Sequence, residues 1–309
     1  MTYYDRISAI TSADGLIAAE PRRASNFVKA RKDDAHADAI AQSIGFRGGL
    51  VSALIHEEQF MPLALEAFGA EWFERGSYSF FSRTATLDEE EVQAFVVDPG
   101  PTPGDVEVEA WSVNADGQRV ADGTIGMGEA GRASALRRRM EKFSLGRSDL
   151  LYEAVPGMPL NRELRWFPSV SPAEHDDTRP YKRKDFPRGE GQFQRREDTT
   201  EPLEWFFGDS PWGRPIAGPL ALARLVRPAF RWMDTQGALS IVGGMEVQFV
   251  HGPLFLDKDY VVGGRVIGAT TSPKTEVVWF ESSVSDPVTE TEVARGLLMM
   301  RYFPAPEPI

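Results

Sequence analysis

The chain has 309 residues, 42% of them apolar, with no cysteine, four histidines and a formal charge of −12. That length suits two domains of ordinary size, and the lack of cysteine excludes disulfides, thiolate nucleophiles and cysteine-ligated zinc. The acidic balance opposes nucleic-acid binding, since the one basic cluster, Arg137-Arg138-Arg139-Met140-Glu141-Lys142, is short and contains an acid.

No apolar run approaches the roughly 18 residues of a membrane helix. The opening Met1-Thr2-Tyr3-Tyr4-Asp5-Arg6 has no basic segment leading into an apolar one, so a soluble, cytoplasmic protein is expected. His36, His56, His175 and His251 stand at no metal-ligand spacing, and no Gly-rich phosphate loop is present.

In chain order, an acidic loop with Asp33, Asp34 and His36 leads into Phe46-Arg47-Gly48-Gly49-Leu50-Val51-Ser52-Ala53-Leu54, and then into a helix expected over residues 49–68. A strand follows at Gly76-Ser77-Tyr78-Ser79-Phe80-Phe81, and Val120-Ala121-Asp122-Gly123-Thr124-Ile125-Gly126-Met127 ends the first half. A polar stretch covers residues 129–210. Within it, Leu151-Tyr152-Glu153-Ala154-Val155-Pro156-Gly157-Met158-Pro159-Leu160 reads as the first strand of a second unit. The pattern then repeats. Trp212-Gly213-Arg214-Pro215-Ile216-Ala217-Gly218-Pro219-Leu220 echoes the segment from Phe46 (212 − 46 = 166), and Gly244-Met245-Glu246-Val247-Gln248-Phe249 echoes the strand from Gly76 (244 − 76 = 168). Val293-Ala294-Arg295-Gly296-Leu297-Leu298-Met299-Met300 echoes the segment from Val120 (293 − 120 = 173). Three matches in one order, with slowly drifting offsets, imply a duplicated domain with loop insertions. One helix followed by a strand meander in each half gives an α+β class, with units at 1–150 and 151–309.

The segments Arg31-Lys32-Asp33-Asp34-Ala35-His36-Ala37-Asp38 and Gly45-Phe46-Arg47-Gly48-Gly49-Leu50-Val51-Ser52-Ala53 resemble the MaoC-like enoyl-CoA hydratase and dehydratase family. The family pattern, Asp-x-Asn-Pro-Ile-His-x-Asp followed by Gly-Phe-x-Gly-x-Ile-Ala-His-Gly, is matched outright at His36, Asp38, Gly45, Phe46 and Gly48. The resemblance implies a tandem double hotdog fold, two units each with a long central helix wrapped by an antiparallel sheet. It also implies an acyl thioester substrate, delivered on CoA or a carrier protein, and no cofactor beyond the CoA of the substrate. A monomer, with the pseudo-dimer inside one chain, or a homo-oligomer is expected. Family members use an Asp and a His five residues apart as acid and base, and a backbone N–H at the start of the central helix to polarise the thioester carbonyl.

Carried over, His36 takes the histidine role and Ala53 the backbone donor, with Gly49, Ser52 and Ala53 lining the substrate site. Arg31 stands where the family has its Asp, and a guanidinium cannot act as a base. Asp33 or Asp34 substitutes only if the loop shifts register. The second unit has no histidine before Trp212, and its helix-start position is Pro219, which has no N–H to donate.

Periodicity adds another candidate. At 100° per residue Leu50, Leu54, Met61, Leu65 and Phe68 form a stripe with Glu58 in or beside it, and Pro62 cannot donate to the Glu58 carbonyl, so an irregular turn is expected. Glu58 is either a carboxylate with raised pKa, the base of a hotdog acyl-CoA thioesterase, or an edge residue reaching solvent. His56 falls opposite the stripe and reads as a polar contact to the second unit. His251 reads as structural and His175 as solvated. In the second helix Arg224, Arg227 and Arg231 share one face, either as a phosphate clamp or as a solvated surface. Four readings stay open: a hydratase or dehydratase using His36, a thioesterase using Glu58, a catalytically inactive double hotdog that binds an acyl ligand or partner protein, and an unrelated elimination or cyclisation on a non-thioester substrate.

Overall fold

The computed structural model describes residues 10–26, 34–101, 104–151, 154–159, 164–166, 168–170, 192–194, 203–208, 210–226, 235, 237–256, 258–272 and 274–304. A hairpin opens it: β1 (Ile10–Ala13) and β2 (Leu16–Ala19) turn at Asp14-Gly15, both at positive φ, 54° and 74°. The short β3 (Arg22–Arg23) and α1 (Asp38–Ser43) precede the central helix. That helix is split into α2 (Ala53–Glu58) and α3 (Phe60–Phe68), with the junction at Gln59 where Pro62 withholds the N–H that the Glu58 carbonyl would take. Gly69, at φ 70°, stops it. After α4 (Trp72–Arg75) come β4 (Gly76–Ser82), β5 (Glu91–Val97), β6 (Val106–Asn114) and β7 (Arg119–Met127).

A 3₁₀ turn and α5 (Ala135–Met140) cross the sheet. β8 (Leu164–Trp166) lies at its far edge, while β9 (Pro168–Val170) and β10 (Gln192–Gln194) pair with each other. The second unit continues with α6 (Pro219–Val226), β11 (Leu239–Phe249), β12 (Tyr260–Thr271), β13 (Glu276–Ser285) and β14 (Glu292–Phe303).

These strands form one twelve-stranded sheet, ordered β1-β2-β5-β6-β7-β4-β11-β14-β13-β12-β8, with β3 beside β5. Read outward from the middle, β4-β7-β6-β5-β2 is mirrored by β11-β14-β13-β12-β8. The duplication seen in the sequence is therefore a duplication of topology. The two halves join where β4 pairs antiparallel with β11, Ser79 opposite Glu246 and Tyr78 opposite Val247. The repeat offset of 168 equates Tyr78 with Glu246 and Ser79 with Val247, so each residue faces the counterpart of its neighbour. That is the register of a pseudo-twofold axis passing between them.

Alternation along the strands divides the sheet into two faces. On one, Tyr78, Phe80, Met245 and Val247 are fully or almost fully buried in a core shared by both halves, and Phe80 stacks on Phe60 of α3 at 4.0 Å between ring centres. On the other, the seam carries Ser77, Ser79, Glu246 and Gln248, all buried. Polar residues sit mid-sheet because they hold the crossing segment. Ser77 donates to the Gly131 carbonyl (3.2 Å), Ser79 Oγ accepts the Leu136 N–H (2.9 Å), and Gln248 donates to the Arg132 carbonyl (3.1 Å). A side chain at Gly244 would meet Leu136 at 2.8 Å, so glycine at that position admits α5. Leu136 then packs with Phe81, Trp279, Leu297 and Met299 into a smaller outer core.

The stretch expected as the second unit's first strand takes another form. Ala154 bonds back to Leu151, Gly157 has φ 80°, and Gly157 and Met158 meet β12 only through single bonds to Val266. Pro156, Gly157 and Pro159 bend the backbone there too sharply for a ladder. The edge strand against β12 is β8, a few residues later.

Glu246 is wholly buried, held by Ser134 and by Arg137 (Nε to Oε1, 2.9 Å), which also reaches Glu281 at 3.2 Å. Burial raises the Glu246 carboxyl above its ordinary value against the pull of Arg137. Replacing one partner of such a pair strands the other in the interior. Glu246→Ala is expected to lower unfolding stability by about 3 kcal/mol in urea denaturation, and Arg137→Met with Glu246→Leu to cost much less than the two single changes added together.

Candidate functional site

Residues 34–36 form a tight turn in which Asp34 Oδ1 accepts the His36 N–H (3.0 Å) and the Asp34 carbonyl accepts the Ala37 N–H (3.1 Å). The segment leading into α2 runs alongside. Leu50 donates its N–H to the Ala35 carbonyl (2.9 Å), and the Leu50 carbonyl lies 2.7 Å from His36 Nδ1. A carbonyl only accepts, so the ring donates from Nδ1, and neutral His36 carries its lone pair on Nε2.

Two further contacts hold the turn. Asn26, 1% exposed, donates from Nδ2 to the His36 carbonyl at 3.0 Å. Asp38 Oδ1 takes the Gly49 N–H at 2.7 Å. A Cβ at Gly49 would stand 2.2 Å from the His36 oxygen, a distance no side chain survives. Gly49 is thus required by the close approach of the two backbones. Its N–H is engaged by Asp38, which gives Gly49 a structural role.

Ser52 caps α2 without a side-chain bond, at φ −63° and ψ 133°, and Ala53 is the first helical residue. The Ala53 N–H precedes the first bond of the helix, Ile55 N–H to the Ser52 carbonyl at 3.0 Å. The structure therefore holds Asp34 and His36 against Gly49 and Leu50, with Ser52 and Ala53 following in the chain at the start of α2. Arg31 and Asp33 lie outside the described residues.

Glu58 lies five residues further along the helix, about 7 Å up its axis. It is 1% exposed, which overturns the solvent-reaching reading. Arg22 is its charged neighbour: burial lowers the guanidinium to a pKa of about 10, against the attraction of Glu58 and Glu20. Tyr78, fully buried, has its phenol pushed well up, by burial first and then by Glu57 and Glu58.

His56 also departs from expectation. It is 4% exposed, and its contact is within its own unit, Nε2 to Thr86 Oγ1 at 2.5 Å. The loop before β5 covers that side of the helix, and the Thr86 carbonyl also takes the Val51 N–H at 2.9 Å. His251, whose Nδ1 donates to the Glu292 carbonyl (2.9 Å), ties β11 to β14. His175, Arg227 and Arg231 lie outside the described residues, as does the side chain of Arg224. Asn26, Thr86 and Arg22 carried no signal in the sequence. Asp38 was visible only as a motif match with no role attached.

The second unit repeats the scaffold with other residues at the matching positions. Ile216 donates to the Trp205 carbonyl (2.8 Å) and Ala217 to the Leu254 carbonyl (2.7 Å), the counterparts of Leu50 to Ala35 and Val51 to Thr86. The residue after Trp205, in the place of His36, is buried Phe206, and α6 begins at Pro219 where α2 begins at Ala53.

Burial brings the His56 pKa from 6.5 down to about 4, with Glu90 opposing. The unfolded chain takes the proton first, so folding stability is full above pH 6.5 and declines as pH falls toward 4. The decline amounts to about 3 kcal/mol. Denaturation midpoints across that range are expected to show it in the native chain, and His56→Gln to lose most of the slope. Gly49→Ala is expected to destabilise the chain by about 2 kcal/mol or more, read as a fall in the same midpoint.

No protein-family model and no curated protein sequence matches the chain. Among solved structures it resembles a MaoC-domain dehydratase from Chloroflexus aurantiacus J-10-fl, with a TM-score of 0.56 and 10% identity over 97% of this chain and 96% of that one. It also resembles a conserved protein of Mycobacterium tuberculosis described as a double hotdog, with a TM-score of 0.59 and 12% identity over 96% of each chain. With the mirrored sheet, the β4–β11 seam and the duplicated helix-start scaffold, these likenesses identify the chain as a tandem double hotdog in fold.

Proposed function

We propose that the first unit is a hydro-lyase site acting on an acyl thioester, interconverting 3-hydroxyacyl and trans-2-enoyl forms with His36 as its acid and base. The observation that carries this reading is the fixing of His36 by the Leu50 carbonyl, which commits Nδ1 and leaves Nε2 for proton transfer. In the dehydration direction Nε2 takes the α-proton, and the electrons of that C–H bond form the enolate. The Ala53 N–H supports the enolate oxygen. The β C–O bond then breaks, the hydroxyl leaves with the proton returned by His36, and water and the enoyl thioester remain. A single histidine can perform both transfers, so the scheme does not need the aspartate that Arg31 replaces. It calls for no cofactor, and CoA enters only as part of the substrate.

The second unit offers Phe206 and Pro219 at the matching positions, so one site per chain follows. The thioesterase reading is disfavoured by the burial of Glu58 beside Arg22, since a base or nucleophile for hydrolysis has to meet water and substrate. The membrane plays no part in the proposal, and no described helix is long and apolar enough to cross one.

The test is turnover on a panel of trans-2-enoyl- and 3-hydroxyacyl-CoA esters, followed by loss or gain of enoyl absorbance. Native chain is expected to be active, and His36→Ala to lose about a hundredfold or more in kcat. CoA release that depends on Glu58 and ignores His36 would replace this reading with the thioesterase. No turnover on any ester would leave a binding protein.

A further inference from the structure

On the outer face of the sheet, away from His36, a cavity of about 340 Å3 opens beside α5. Its floor is Phe81, 8% exposed, whose ring is flanked by three guanidiniums: Arg139 with Cζ 3.6 Å from the ring centre, and Arg83 and Arg301 each at 5.3 Å. Lys142 lines the same space. The carboxylates nearby are already engaged: Asp122 by Arg83 and, at 3.6 Å, by Arg119; Glu109 by Arg119 at 3.5 Å; and Glu107 by Arg138 at 2.6 Å. Among the described residues Arg139, Arg301 and Lys142 have no carboxylate within ion-pair reach. The Nε of Arg301 is buried with no hydrogen-bond partner.

Four cations, Arg83, Arg138, Arg139 and Lys142, thus line the cavity against two carboxylates, Glu109 and Asp122, on a chain whose net charge is −12, and Arg301 adds its charge beside the Phe81 ring. Cation–π contact with one phenyl ring is worth only about 1 kcal/mol per pair and does not explain gathering three like charges there. Burial, then the positive fields of Arg83 and Arg301, depress Arg139. The volume is that of a small-molecule site, too small to seat a protein surface. Planar forks from several arginines suit the oxygens of a diphosphate better than a single carboxylate.

We propose that this outer-face cavity binds the diphosphate group of a small phosphorylated molecule, gripped by Arg139 and Lys142, with the charge of Arg301 beside the Phe81 floor in support. The proposal is independent of the acyl chemistry on the opposite face. It is tested by titrating the full chain with inorganic pyrophosphate in a calorimeter at constant ionic strength, alongside Arg139→Gln, Lys142→Gln and, as a control outside the cavity, Arg132→Gln. Saturable one-to-one binding, weakened about tenfold or more by each of the first two changes and untouched by the third, is expected. Melting curves establish that all variants are folded. Absence of saturable binding up to millimolar pyrophosphate, or binding that survives both cavity substitutions, overturns the proposal.

Discussion

The pairing of β4 with β11 is the interaction on which the rest of the structure depends. An isolated unit would present β4 as an open edge, and an open edge invites further strands. Pairing the two corresponding strands closes both edges at once and makes one sheet of two units. Its register, Ser79 opposite Glu246 and Tyr78 opposite Val247, determines which residues point to each face. A slip of one residue would turn Tyr78 and Phe80 out of the shared core and drive Ser79 and Glu246 into it. The polar outer row at the seam is satisfied by the segment from Gly131 to Arg137.

Duplication supplied two copies of one scaffold, and the copies then diverged in chemistry. In both halves a backbone segment donates two bonds, one to an upstream loop and one to the loop beyond the helix, and so fixes where a helix begins. In the first half that frame surrounds a histidine with a defined donor nitrogen. In the second it surrounds Phe206, buried to 1% exposure, and a proline that offers no N–H. Retaining the frame while losing the reactive groups fits a second unit that serves as wall and support for the first.

Much of the fold was legible in the sequence, because duplication and strand alternation are one-dimensional signals. The offset between Gly76 and Gly244 anticipated the repeated topology, though not the pairing of those strands, and Pro62 anticipated the break at Gln59. The apolar stripe correctly drew Glu58 toward the interior. Helical periodicity failed for His56 because it ranks faces by hydrophobicity but does not show what covers them. A loop at residue 86 covers a face that was expected to meet the second unit. The run from Leu151 had strand-like composition, yet its prolines and glycine forbade a ladder. Asn26 reaches His36 across ten residues, and Arg22 meets Glu58 across thirty-six. Such pairings depend on tertiary structure, and no local pattern announces them.

The central claim is that His36 Nε2 exchanges a proton with the α-carbon of an acyl thioester in the first unit alone. Incubating a 3-hydroxyacyl-CoA with the protein in deuterium oxide, and following α-deuterium by mass spectrometry, tests it directly. The account predicts α-deuteration by the native chain, its loss in His36→Ala, and its persistence in Phe206→Leu. Undiminished α-deuteration in His36→Ala would contradict it.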